Sequence, residues 1–375
     1  MKRFYRMKVP FFGTAREHKK LYPLIKNICK KSLLSGQSLQ GKSIEILENK
    51  IKKIHSCKYS VALNSCTDAL FFALRALNIK KNDEVIIPSY SFISTASSVL
   101  RTGAKLIFSD VNSNGNLKIN NLQKIITKKT KVLIYVHLFG YVENQKELKK
   151  FCKKNKIYLI EDCAQAFGAI GKLGPVGSIG DVGCISFDPT KTLSAPGSGG
   201  MVITKSKSIY QKIKFMRYHG KINKYEFKYL GYNSQLPTLT ADILLQKLKI
   251  DKISTKKRIL IAKRYIKELS KEKLLLPVYK DDFSHIYHKF VICYEKRDKL
   301  KIFLEKNGIQ TMIHYHKPLP KYQVFKNNIK RNYFKKAEML SKNCLSLPIH
   351  QYLSDKEVNY VIKKIKLFLK YENRN

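Results

Sequence analysis

The chain has no tryptophan, and only 27 acidic residues stand against 73 lysines and arginines, a formal charge of +46. An acid deficit of this size usually points to nucleic acid or an anionic surface. Here the lysines are spread in pairs such as Lys30-Lys31, Lys52-Lys53 and Lys153-Lys154. There is no arginine-rich arm, no basic low-complexity tail and no zinc-finger spacing. The expectation is a solvated basic surface that steers a small anionic substrate, with no nucleic-acid partner. Long apolar runs are also missing. Stretches such as Val132 to Val136 fall far short of a bilayer span, and the basic start Met1 to Arg6 has no apolar segment behind it. No membrane association and no secretion signal are expected. The eight cysteines form no C-x-x-C pair, which removes zinc-ribbon and thioredoxin-like readings, and no metal is expected. Several sit in apolar runs as small core residues. A reduced, cytoplasmic protein is expected.

What is present is ordinary globular material: 375 residues, 44% hydrophobic and 27% charged. Apolar spacing predicts helices over 20–34 and 42–54. A strand over 59–63, a turn over 64–68 and a helix over 69–77 follow. Further strands are predicted at 83–88, 105–110, 132–137 and 157–162, with a helix near 93–101 and other helical segments between. Apolar strands alternating with helices indicate a mostly parallel sheet covered on both faces, with ligands beyond the carboxyl ends of the strands. After about residue 240 the pattern changes to a lysine-rich helical stretch over 238–272. Strands at 290–294 and near 311–315 are expected, with helices from 297 to 307 and after Ser354. The division expected is 1–240 as a large α/β domain that includes the N-terminal helices, and 241–375 as a smaller α+β C-terminal domain.

Three segments carry chemistry. Ser186-Phe187-Asp188-Pro189-Thr190-Lys191 stands just ahead of Gly197-Ser198-Gly199-Gly200, and Ile157 to Asp162 is an apolar run ending in two acids. Asn64-Ser65-Cys66-Thr67-Asp68 is a strand–turn–helix junction whose N–H groups, with the Thr67 hydroxyl, suit a phosphate. A buried acid, a serine and a lysine on an ordered loop are what pyridoxal 5′-phosphate (PLP) requires. The acid keeps the pyridine nitrogen protonated, the hydroxyl helps hold the phosphate, and the lysine bonds the cofactor and moves protons.

With Glu161-Asp162-Cys163-Ala164-Gln165-Ala166 and Gly231-Tyr232-Asn233, these segments resemble the DegT/DnrJ/StrS family of sugar aminotransferases, fold-type I PLP enzymes. Ser35-Gly36, Gly41, Glu48, Val136-His137-Leu138-Phe139-Gly140, His314-Tyr315 and Leu345-Ser346-Leu347-Pro348 extend the likeness over nearly the whole chain. The resemblance implies Lys191 and Asp162 as catalytic residues: Lys191 as the covalent anchor, Asp162 as the acid on the pyridine nitrogen. It implies cofactor contacts from Cys66 and Thr67 at the phosphate turn, Phe92 stacking on the ring, Gln165 at the phenolic oxygen and Ser186 at the phosphate. Asn233 would reach the phosphate of a partner subunit, so a homodimer with shared sites is implied.

Each of these residues also has a plain structural reading. Thr67 and Asp68 could cap a helix, Phe92 could be core, Gln165 could bond backbone, Asn233 could belong to a turn, and His314 could be a structural histidine. The chain departs from the family at Cys66, where glycine is usual, and at Ser198, Gln235 and His316, where an acid, an arginine and a proline are common. These departures bear on substrate choice. The activity implied is transfer of an amino group from an amino acid, glutamate in the family, to a nucleotide-linked keto sugar, a keto-deoxyhexose, at C3 or C4. The rivals are a PLP-dependent sugar dehydratase, which lacks the lysine, and a nucleic-acid-binding or regulatory protein of the same fold.

Overall fold

The computed structural model describes residues 7–328 and 334–372; the basic run at 1–6 lies outside them. Seven strands form the main sheet: β1 (Tyr59–Leu63), β2 (Glu84–Pro88), β3 (Lys105–Ser109), β4 (Thr130–Val136), β5 (Tyr158–Asp162), β8 (Val182–Ser186) and β9 (Gly200–Thr204). A two-residue ribbon, β6 (Ile170–Gly171) with β7 (Gly174–Pro175), precedes β8. The order is β1-β9-β8-β5-β4-β2-β3. Strands β3, β2, β4, β5 and β8 are parallel, and β9 runs antiparallel to both neighbours. Continuous runs such as Glu84-Val85-Ile86-Ile87-Pro88 fit this place, since every residue of β2, β8 and β9 is buried.

The helices beside this sheet are α1 (Thr14–Leu34), α2 (Lys42–Ile54), α3 (Cys66–Ala76), α4 (Ile93–Leu100), α5 (Gln145–Asn155), α6 (Lys207–Met216) and α7 (Thr238–Leu248). In α2 the buried residues Ile44, Leu47 and Ile51 fall on one face at spacings of three and four. Helix α3 is apolar nearly all round and buries Leu70, Phe72 and Leu74 against the sheet. A second sheet pairs β10 (Phe290–Cys293) with β11 (Cys344–Leu347), antiparallel. Four helices accompany it: α8 (Asp251–Leu269), α9 (Arg297–Lys306), α10 (Lys335–Asn343) and α11 (Asp355–Glu372). Tyr265, Ile292, Leu300, Leu304, Val361 and Ile365 share its core.

Three expectations change. The helical stretch over 238–272 is two helices, α7 and α8, because the chain turns at Ile250 (φ −112°, ψ 0°) and Asp251 opens a new first turn. The strand near 311–315 is a single bridge, Met312 to Ser346. The helix expected from residue 69 begins at Cys66, with Ser65 as its cap. The described residues contain no helix long and apolar enough to cross a membrane.

Candidate active site

The carboxyl ends of β4, β5 and β8 open into a cavity of about 500 Å³. It is lined among others by Cys66, Thr67, Phe92, Asp162, Gln165, Ser186 and Lys191, so seven of the eight expected site residues meet here. Helix α3 points its start at this space. The Ser65 hydroxyl accepts from the Asp68 N–H at 3.1 Å, so Ser65 is the cap, and neither Thr67 nor Asp68 is. Asp68 instead pairs with Arg101 and accepts from Ser234. Thr67 is left on the cavity wall beside free N–H groups of the first turn. Strand β9 passes so close that a Cβ on Gly200 would lie 2.3 Å from the Ser65 carbonyl carbon, so only glycine fits there.

Asp162 ends β5 and is 4% exposed, more deeply buried than a strand-end residue need be. Its carboxylate accepts from the Ala164 N–H and the Thr95 hydroxyl, both at 3.1 Å. Burial pushes its pKa up, against those two bonds and the Lys191 charge. Lys191 lies in a loop that leaves β8 and returns at Gly199, where the Phe187 N–H meets the Gly199 carbonyl at 2.8 Å. A buried tether holds the loop. The Lys247 ammonium donates to the Ser194 carbonyl (2.6 Å), the Ser194 hydroxyl (2.7 Å) and Glu17 (2.6 Å). Lys191 itself has no carboxylate within ion-pair distance among the described residues.

Beneath Asp162, on the opposite face of the sheet, Glu161 accepts from the N–H groups of Gly177, Ile179 and Gly180 and faces His137 at 2.9 Å. Burial alone would raise the pKa of Glu161; the His137 bond and the loop N–H groups more than offset it, and the net shift is down. On the cavity side, Gln165 accepts from the Phe139 N–H and donates to the Tyr315 hydroxyl, each at 3.0 Å. His314 bonds Ser346 at 2.8 Å yet also lines the cavity, and burial with the charges of Lys289 and Lys191 pulls its pKa down to about 3.

Phe92 differs from its plain reading, Cys66 is a buried neutral thiol, and Asn233 lies elsewhere. Phe92 is 55% exposed and is not core. Cys66 is buried at the head of α3, where burial pushes its thiol well up and keeps it neutral. Asn233 is exposed, bridges to Tyr218, accepts from Gln235 and does not line this cavity. Ser198 donates to the Asn64 carbonyl at 2.7 Å, and Gln235 accepts from Gln40 at 2.9 Å, so two of the departures have local partners. Thr95, which holds Asp162, and Lys289, which lines the cavity, carry no signal in the sequence: one is a helix threonine and the other is one of very many lysines.

The model of the DegT/DnrJ/EryC1/StrS aminotransferase family matches residues 21–366. A pleiotropic regulatory protein from Geobacillus stearothermophilus is 33% identical over 97% of this chain and its own full length. A UDP-N-acetyl-3-dehydro-α-D-glucosamine 3-aminotransferase from Acidithiobacillus ferrooxidans is 34% identical over 88% of this chain and 89% of its own. Among solved structures, NtdA from Bacillus subtilis with bound cofactor PMP superimposes with a TM-score of 0.91 at 26% identity, covering 99% of this chain and 87% of that one.

Proposed function

This chain belongs to the DegT/DnrJ/EryC1/StrS aminotransferase family, fold-type I, and on that premise we propose that it moves an amino group from glutamate to a nucleotide-linked keto sugar. The observation that carries this reading is the convergence of Lys191, Asp162 and the start of α3 on one cavity. The donor set fits PLP. Lys191 is an amine with no acid partner among the described residues, Asp162 is a carboxylate whose charge burial penalises until a cation arrives, and Thr67, Ser186 and the α3 N–H groups suit a dianion. When bound, the cofactor supplies an electron sink. Asp162 would keep the ring nitrogen protonated. Phe92, half exposed at the cavity mouth, would lie against one ring face, and Gln165 has a second amide hydrogen for the phenolic oxygen. Lys191 would hold the cofactor through Nζ and, once freed, carry the proton taken from the donor's α-carbon.

The reading extends to a homodimer in which Asn233 of one subunit serves the phosphate of the other. The support is that Asn233 is exposed and does not line the cavity of its own chain, in a segment that exposes Tyr225, Phe227 and Leu230. It also keeps two units, 1–240 and 241–375, because the main sheet closes with β9 while β10 and β11 build a separate sheet. The free thiols among all eight cysteines suit a reducing compartment such as the cytoplasm.

The test is borohydride reduction of the PLP-loaded protein, followed by peptide mass mapping and an assay with nucleotide keto sugars and glutamate. Fixation on Lys191 and matched release of 2-oxoglutarate and amino sugar are expected. Lys191→Ala is expected to lose at least the ~10²–10⁴-fold supplied by one acid–base group while keeping its fold. A variant with near wild-type turnover would remove Lys191 from the mechanism.

A further inference from the structure

Four basic side chains are buried in the described residues: Lys247, Arg258, Lys289 and Arg297. Three have their acceptors. Lys247 holds Glu17 and Ser194, Arg258 donates to the Ile349 carbonyl and Gln351, and Arg297 donates to Asp298 and the Cys344 carbonyl. Lys289, 6% exposed, has no hydrogen-bond acceptor and no carboxylate within 4 Å among the described residues. Its Nζ lies 4.6 Å from the ring centroid of Phe12 and 4.9 Å from that of Phe11. Ring faces attract a cation but offer no lone pair, so the ammonium keeps its donors free. A buried charge without a partner is costly and is normally paired. Lys289 stands directly ahead of β10 and lines the same cavity as Lys191 and Asp162.

We propose that Lys289 binds the α-carboxylate of the amino donor and of the 2-oxo acid it becomes. This rests on the transaminase reading above. The choice of this anion follows from reach. The α-carboxylate is attached to the carbon that carries the reacting nitrogen, so it must lie next to the position Lys191 occupies. Lys289 lines the same cavity wall as Lys191, Asp162 and His288. A nucleotide diphosphate is separated from the keto carbon by at least the anomeric carbon and its oxygen, and belongs further out. The neighbouring imidazoles offer no competing charge, because burial holds His288 and His314 neutral. Burial and the charges of Lys191 and Arg258 depress the ammonium itself, with Asp188 opposing, and a bound carboxylate supplies the counter-charge.

The experiment titrates 2-oxoglutarate and pyruvate into the PLP-loaded protein by calorimetry, without turnover, for wild type, Lys289→Met and Lys289→Arg. Lys289→Met is expected to weaken both oxo acids about 10–100-fold, the worth of one charge-assisted hydrogen bond, with Lys289→Arg retaining most of the binding. Rapid-mixing spectra then separate the half-reactions. Glutamate, glutamine and alanine are all expected to react more slowly with Lys289→Met, and this loss is expected to exceed any change in the reaction of the amino-form protein with the keto sugar. Equal oxo-acid binding in wild type and Lys289→Met overturns the subsite. So does a loss confined to glutamate and 2-oxoglutarate, which would mark the distal carboxylate, or a loss confined to the keto sugar. Wild type that binds pyruvate through Lys289 yet aminates no keto sugar would instead refute the assigned reaction and leave the subsite standing.

Discussion

Asp162 and Glu161 are neighbours in sequence and opposites in surroundings. Glu161 has three backbone N–H groups and His137 on its oxygens, and its pKa falls. Asp162 has one N–H and one hydroxyl, and burial wins. Strand alternation separates the two, sending Glu161 into the fold and Asp162 toward the cavity. The first therefore serves the structure and the second is open to a cationic partner. Asp162→Asn keeps an oxygen for the Ala164 N–H, so the fold should persist. Transamination is expected to drop about 10²–10³-fold, as when one preorganised charge contact is removed, with a changed cofactor absorbance. Unaltered spectrum and rate in this variant would make Asp162 merely the end of a strand.

At the scale of elements, the loop between β8 and β9 is held from outside by α1 and α7 through Glu17, Lys247 and Ser194. Lys247→Met strands a buried Glu17 and is expected to cost about 3–5 kcal/mol, whereas Glu17→Leu with Lys247→Met should cost much less. Chemical unfolding of the three proteins measures this, and a single variant as stable as the double would show that the pair contributes nothing. The parallel strands were legible because burial on both faces leaves uninterrupted apolar runs, as in Val85 to Ile87 and Val132 to Val136. The break between α7 and α8 was not, because apolar residues keep helical spacing across Ile250 while the backbone turns. The bridge at Met312 depends on a partner 34 positions away, Ser346, which local spacing does not register. In the site, Thr67, Asp162 and Ser186 were legible because each sits at a strand or helix end, and Lys191 because it stands between the end of β8 and a glycine-rich stretch; Thr95 and Lys289 gain their meaning only from tertiary neighbours.

At the scale of the whole molecule, the charge of +46 suits anionic reactants entering a cavity that already holds Lys191 and Lys289. The proposed shared-site dimer makes a prediction of its own. Lys191→Ala and Asn233→Asp, each inactive alone, should recover about one quarter of wild-type activity after equimolar subunit exchange, because half of the dimers are hybrids and each hybrid has one site free of both changes. Activity that stays at background after exchange verified by mass measurement would place Asn233 outside the site. The pairing of β1 with β9 has a further consequence in time. Strand β1 occupies a sheet edge and among the described residues pairs only with β9, Tyr59 meeting Thr204, and Lys247 stands 230 residues beyond the Glu17 it neutralises. A ribosome making this chain therefore releases an apolar strand and an acid long before their counterparts exist. The nascent chain carries the acid unmatched through the larger part of translation and the strand for a shorter stretch, and the clamp on the lysine loop closes only after α7 has emerged.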